Sequence, residues 1–261
     1  MDINGKTVVL TGATGGIGKA IATAVASQGG KLVLVGRSQE KLQVLVTTLP
    51  GTGHTAVAAD ITTAQGREAV LSCSAGVSVL VNNAGVNHFG LLEQQGEAEL
   101  RQMLELNTLA PMMLIQALLP ELSRHDSAII NIGSGFGSIG FAGYCGYSAS
   151  KFALRGFTEA LRRELADSSV QVLYLAPRAT STGMNSAAVV AMNEELGNTM
   201  DPPERVAGEF MALLKKEQRT RFIGWPERFF VKLNSLFPSV VDGALGKQLS
   251  VIRRQTLVET E

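Results

Sequence analysis

Residues 7–18 read Thr7-Val8-Val9-Leu10-Thr11-Gly12-Ala13-Thr14-Gly15-Gly16-Ile17-Gly18. A short apolar run, Thr7 to Leu10, enters a glycine cluster, and a helix around Lys19 to Ser27 follows. Glycine lets the backbone turn sharply and come close to a bound group, and the helix start offers free amides to an anion. The spacing is Gly-x-x-x-Gly-x-Gly rather than Gly-x-Gly-x-x-Gly. Taken alone it fits a plain glycine-rich turn as well as a pyrophosphate cradle. Its place between a first strand and a helix favours the nucleotide, with Gly12, Thr14, Gly16, Ile17 and Gly18 as contact residues.

Outward from that stretch, short apolar runs alternate with helical segments. Leu32–Val35, Thr55–Ala58, Val79–Val81, Ala128–Ile132 and Val170–Leu175 are further strands, and a last one is expected near Arg221–Gly224. Each is rich in Val, Ile, Leu or Ala and bounded by turn residues. Uninterrupted apolar strands are covered on both faces, and repeated strand–helix units build a parallel sheet with right-handed crossovers. The fold class is therefore α/β, a doubly wound parallel sheet. We read residues 1–224 as one unit and residues 225–261 as a helical C-terminal extension of it.

The composition narrows the function. The chain has 261 residues, with 23 Lys+Arg against 23 Asp+Glu, so it lacks the basic excess of a nucleic-acid binder. Two cysteines, Cys73 and Cys145, cannot make a disulfide framework, and three scattered histidines form no metal motif. No metal site is expected. The uncharged stretch 127–150 holds too many glycines and serines for a membrane span. The N-terminus has no signal-peptide pattern, which leaves a reducing cytoplasm as the default location.

Four further features carry chemistry. The second strand ends at Gly36-Arg37, where an acidic residue would hold a ribose 2′-hydroxyl; Arg37 suits a 2′-phosphate, so NADP(H) is favoured, with NAD(H) as the alternative. Asn82-Asn83-Ala84-Gly85 follows the fourth strand and reads as a turn whose side chains lock neighbouring strands. Tyr147 and Lys151 stand four residues apart and share a helical face. A free Tyr has a pKa of about 10, and a neighbouring cation lowers it toward working pH. Ser134, at the end of an apolar strand, lies thirteen residues before Tyr147.

Together these residues resemble the short-chain dehydrogenase/reductase family, over roughly residues 5–224. The resemblance implies hydride transfer between a nicotinamide and a carbonyl or alcohol carbon. It makes Tyr147 the general acid–base, Lys151 the ribose-binding cation and Ser134 the partner of the substrate oxygen. It places Asn83, Ala84 and Gly85 against the cofactor, Asp60 against adenine, and Pro177 and Thr182 near the nicotinamide. Asn107, in an expected helix from Leu100 to Leu119, matches the family's fourth catalytic residue. Pro111, four residues on, cannot donate to the Asn107 carbonyl, so a kink would free that carbonyl for a relay water. Arg178 and Thr180 depart from the family pattern; Arg178 is expected to fold over the cofactor or point to solvent. A homodimer or homotetramer is also implied.

The substrate is a small-molecule carbonyl or alcohol, expected along 87–91, 136–144 and 182–197, with Phe89, Phe136 and Phe141 as a greasy wall. In the extension, Phe229, Phe230, Leu233, Leu236 and Phe237 share one helical face, and Val241, Leu245, Leu249 and Ile252 continue the pattern. Two amphipathic helices are expected, packing on the domain or a sister subunit. The sharper option is a substrate lid or a peripheral membrane contact favouring a lipophilic or acyl-type substrate. Between Pro226 and Arg254 five basic residues face two acidic ones. The rival functional class is a dinucleotide-binding regulator without catalysis. A hydrolase built on Ser134 lacks the Gly-x-Ser-x-Gly elbow.

Overall fold

The strand that feeds the glycine cluster lies inside the sheet, paired on both edges, because both of its faces are apolar. In β1 (Thr7–Thr11), Val8 and Leu10 point into one core and Val9 into the other, and all three are fully buried. The computed structural model describes residues 1–259. Among these, six more strands join β1 in one parallel sheet: β2 (Lys31–Gly36), β3 (Thr55–Ala58), β4 (Val77–Asn82), β5 (Ser127–Ile132), β6 (Val170–Ala176) and β7 (Thr220–Phe222). Their order is β3-β2-β1-β4-β5-β6-β7, so the chain reverses direction across the sheet between β1 and β4. That switch opens a crevice beyond the carboxyl ends of the strands.

Helices cover both faces. α1 (Gly16–Ser27), α2 (Gln39–Thr48) and α8 (Pro203–Lys216) border one core, where Ile21, Val25, Val206 and Phe210 meet Val8 and Leu10. α3 (Ala64–Ser72), α5 (Ala110–Leu122) and α6 (Cys145–Glu164) border the other, where Leu114, Ile115, Leu118 and Leu161 meet Val9, Leu80 and Ile129. Side-chain caps fix several starts: Ser38 accepts from the Lys41 amide and Thr63 from the Gly66 amide. The architecture is the expected Rossmann-like α/β sheet with a helical C-terminal region.

The structure refines two sequence expectations. The single helix expected over 100–119 is α4 (Glu97–Leu104), a π turn at Glu105–Leu109, and then α5, with Pro111 in its first turn. The Ala110 amide reaches back to the Glu105 carbonyl, one residue further than in an α-helix. The run 97–122 is long and apolar enough to cross a membrane, but its buried residues Met103, Leu114, Leu118 and Leu122 pack in the protein core. The extension holds three helices rather than two: α9 (Trp225–Leu236), α10 (Pro238–Gly246) and α11 (Leu249–Glu259). Its last residues, Thr260 and Glu261, lie outside the described residues. Only α7 (Ala187–Glu195) completes the set, and α11 packs on it through Ile252, Val189 and Met192.

Candidate active site

The carboxyl ends of β1, β4, β5 and β6 surround one elongated cavity of 1510 Å³. Gly12, Thr14, Gly16, Ile17 and Gly18 form its floor at one end. Gly12 has a left-handed backbone (φ 64°), and a Cβ there would lie 2.7 Å from the Ala84 Cα. A Cβ on Gly16 would lie 2.8 Å from the Thr182 Cγ2, and one on Gly18 would strike the Gly12 carbonyl. The first helical amides of α1 have no side-chain cap. This is a cradle in which backbone can reach an anion, so the residues present fit a dinucleotide pyrophosphate.

Around that floor the predicted contacts take distinct places. Arg37 is exposed at the cavity rim beside Asp60, where its charge contributes to lowering the Asp60 pKa after the Thr62 hydrogen bonds. Asp60 Oδ1 accepts from the Thr62 amide and hydroxyl at 3.0 and 2.7 Å, while Thr63, not Asp60, caps α3. Asn83 donates to the Thr11 and Gly12 carbonyls at 3.0 and 3.1 Å, and the Asn83 and Ala84 amides both donate to the Thr11 hydroxyl. Asn82 donates to the Asn131 side chain at 2.9 Å, adding a side-chain link to the backbone pairing of β4 with β5. Gly85, Pro177 and Thr182 also line the cavity.

At the other end, α6 brings Tyr147 and Lys151 against the end of β5. Tyr147 shares a hydrogen bond with the Ser134 side chain. The Lys151 Nζ donates to the Ile132 carbonyl at 3.0 Å and lies 5.8 Å from the Tyr147 ring centre. Lys151 is buried, and desolvation pushes its pKa down to about 8. The sequence led us to expect a lowered phenol; instead burial pushes Tyr147 up to about 12, against a downward pull from Ser134. Tyr147 is only half-buried by accessible surface because it faces the cavity, so water tempers that rise until the cavity is filled.

Asn107 sits one layer behind. It is fully buried, and its amide donates to the Val86 carbonyl at 2.9 Å and the Ser150 hydroxyl at 3.0 Å, while its Oδ1 accepts from the Val86 amide at 2.8 Å. A Cβ on Gly85 would stand 3.0 Å from Asn107 Oδ1 and 3.7 Å from Lys151 Nζ. The π turn thus braces the floor under Lys151 rather than entering the cavity with its side chain.

The substrate end is aromatic and aliphatic: Phe136, Phe141, Tyr144, Val189, Met192 and Leu245 line it. Phe136 and Phe141 stack at 4.9 Å. Phe89 packs behind Tyr144 instead of forming the wall, with ring centres 5.1 Å apart. Val241, Leu245 and Gln248 bring the extension into the lining, and Ile252 seals the same aromatic cluster.

Sequence reasoning missed two supports. Tyr174, buried on β6, packs under Gly133 and Gly137, and a Cβ on Gly133 would collide with its ring and hydroxyl. That close contact sets the position of Ser134, and the only signal for it was the glycine before the serine. Arg178 lines the cavity, with its guanidinium held by carboxylates rather than by water. It makes a bidentate pair with the buried Asp201 at 2.7 and 2.9 Å and a third contact with Glu227 at 3.5 Å. The pair closes the base of segment 179–200, and the Glu227 contact ties that base to the start of α9. Among the described residues no group of His, Cys, Asp or Glu is placed to hold a metal ion.

A profile of the short chain dehydrogenase family matches residues 6–193. The chain is 35% identical to the 3-oxoacyl-acyl-carrier-protein reductase FabG of Vibrio cholerae over 192 residues, covering 72% of this chain and 78% of that protein. It is 34% identical to carbonyl reductase family member 4 of Danio rerio over 185 residues, covering 69% and 78%. Its fold superposes on a short-chain dehydrogenase from Sphingobium yanoikuyae in complex with NADPH, with a TM-score of 0.75 and 26% identity, covering 94% of this chain and 95% of that one.

Proposed function

The chain belongs to the short-chain dehydrogenase/reductase family, and on that premise we propose that it is an NADP(H)-dependent oxidoreductase of a lipophilic or acyl-type carbonyl or its alcohol. The observation that carries this reading is the meeting of Ser134, Tyr147 and Lys151 at the junction of the glycine cradle and the apolar end of one cavity. The cofactor, when bound, supplies or accepts the hydride. The rest falls to the chain's own residues.

Ser134 and Tyr147 hydrogen-bond the substrate oxygen, where negative charge develops during reduction, and Tyr147 releases its proton to that oxygen. Lys151 spends one ammonium proton on the Ile132 carbonyl, which leaves two donors for ribose hydroxyls. Its charge supports the phenolate left behind. Asn107 acts through its backbone: Pro111 has no N–H to return to its carbonyl, which therefore holds a water linking Lys151 to solvent. Arg37 pairs with a 2′-phosphate, and Asp60 keeps its second carboxylate oxygen for the adenine amine. Gly12, Thr14, Gly16, Ile17 and Gly18 receive the pyrophosphate, and Asn83, Ala84, Gly85, Pro177 and Thr182 flank the nicotinamide half.

We take residues 1–224 as the catalytic unit and 225–261 as the extension that closes its substrate end. Exposed Leu104, Leu109 and Phe152, on the neighbouring α4, π turn and α6, support assembly as a homodimer or homotetramer. Two free, exposed thiols, Cys73 and Cys145, suit a cytoplasmic setting. The extension is the part that makes peripheral membrane contact.

The test is oxidation of NADPH and NADH against ketones and 3-oxoacyl thioesters of graded chain length. The reading expects faster turnover with NADPH and a rate that climbs with chain length. Cofactor binding without turnover on any carbonyl would favour the non-catalytic regulator instead.

A further inference from the structure

We infer that the outer face of α9 and the α9–α10 corner docks on an anionic lipid bilayer, bringing the mouth of the cavity to the membrane surface; the inference rests on the reading of the site as one for a lipophilic carbonyl.

The inner face of α9 is fixed by its partners. Glu227 meets Arg178, Asn234 donates to the Ser138 carbonyl at 3.1 Å, and Val231 is buried. By helical periodicity Trp225, Phe229, Lys232 and Leu236 then lie on the opposite side. Trp225 is 75% exposed and Leu236 71%, values that a core-packing helix would not leave on its large apolar residues. Phe229, Phe237 and Val240 are more than half exposed as well. The rings of Trp225, Phe229 and Phe230 form a continuous row, with centres 6.3 and 5.8 Å apart. Of the apolar face read from the sequence, Phe229, Leu236 and Phe237 point to solvent, while Phe230 also reaches the cavity and Leu233 is half-buried.

Charge chooses the occupant. Between residues 225 and 240 the only carboxylate is Glu227, which faces Arg178, while Arg228 and Lys232 are exposed. Asp242 lies about 160° around α10 from Val240. A symmetric contact with a second copy would set Arg228 and Lys232 against like charges. An anionic headgroup layer complements them, and exposed Trp and Phe insert at its acyl boundary. Continuity with the cavity points the same way. Phe230 is 42% exposed and also lines the cavity, as do Val231, Val241 and Leu245 from the inner faces of the same two helices. The helices form a wall with lipid-facing residues outside and the substrate end inside.

Co-sedimentation of the full chain with vesicles tests this. Vesicles of phosphatidylcholine alone and of phosphatidylcholine mixed with phosphatidylserine are compared, for wild type, Phe229→Ser/Leu236→Ser and Arg228→Glu/Lys232→Glu. Wild type is expected to sediment with the anionic vesicles. The serine pair should stay in the supernatant. A basic residue at an anionic surface strengthens binding about fivefold, so the glutamate pair should weaken it more than about tenfold. NADPH oxidation of a soluble ketone in buffer should be unchanged in both variants, since none of these four residues lines the cavity, and this also reports that they fold. Wild type that ignores both vesicle types, or vesicle binding that both variants retain, overturns the docking face. Variants that dissociate an oligomer while wild type ignores vesicles assign the face to a second copy and likewise overturn it. Vesicle binding as expected with no reductase activity leaves docking standing and removes only the reading of the site.

Discussion

Tyr147 and Lys151 stand one turn apart on α6, and the Lys151 ammonium lies 5.8 Å from the Tyr147 ring centre while held by the Ile132 carbonyl. Burial acts on the two groups in opposite directions. It pushes the phenol up to about 12 and the ammonium down to about 8, in each case favouring the neutral form. Without cofactor the site is therefore set as a proton donor for reduction, with Lys151 as the group that titrates nearest neutrality.

A pH dependence follows with a definite sign. Below about 8 Lys151 is charged and Tyr147 carries its proton, which is the state reduction needs. Above about 8 Lys151 loses its charge while the phenol stays protonated. The kcat/KM for reduction, which reports the free enzyme, should fall with a single inflection near 8. A profile that is flat through that region would refute the assignment of the inflection to Lys151.

The cofactor choice rests on Gly36 and Arg37. A Cβ on Gly36 would meet Leu42 at 3.5 Å and the Thr14 hydroxyl at 3.6 Å, ordinary contact distances. A Cβ is therefore accommodated there without displacing the cradle. Gly36→Asp should repel a 2′-phosphate, accept a 2′-hydroxyl and shift the kcat/KM ratio toward NADH by at least tenfold, about 1.4 kcal/mol. An unchanged ratio would show that Arg37 does not read this phosphate.

Gly133 is a packing test of the site. Gly133→Ala drives a methyl into the Tyr174 ring and must move the strand end that carries Ser134. Overpacking of this kind costs about 1–3 kcal/mol in stability, and kcat should fall while cofactor affinity is retained. Gly156→Ala, whose added methyl meets nothing within 4 Å, is the control. Equal kcat in the two variants would remove the positioning role of Tyr174.

The Arg178–Asp201 pair predicts a stability effect. Burial alone would raise the Asp201 pKa, but hydrogen bonds and charge from Arg178, with Arg205, outweigh it and hold it low. Its contribution is thus present above the usual carboxylate range and lost as pH falls through the lowered pKa. Asp201→Asn should cost about 3 kcal/mol in denaturant unfolding at neutral pH, because it leaves Arg178 without its main partner. A loss under about 0.5 kcal/mol would place the pair among surface contacts of little weight.

The sheet was legible because its strands are short, continuous apolar runs between turn residues, and β1 through β6 fall within two residues of the expected ends. The cradle and the Tyr147–Lys151 pair were legible because they are local in sequence. What was not legible depends on distance along the chain. Tyr174 lies forty-one residues from Gly133, and Asp201 lies twenty-three from Arg178, so no spacing rule joins them. The extension shows the same limit: its periodicity marked an apolar face on α9, but only the partners of Glu227 and Asn234 reveal that Phe229 and Leu236 turn outward. The effect of burial on the phenol also needed the surrounding walls.

Tyr147 passes the proton at this site. Tyr147→Phe removes the hydroxyl with little change in volume and leaves the cradle intact. Turnover of the variant should be measured beside its NADPH affinity. A drop in kcat of about 10²–10⁴ is expected, with cofactor affinity unchanged. Turnover near the wild-type rate would contradict it.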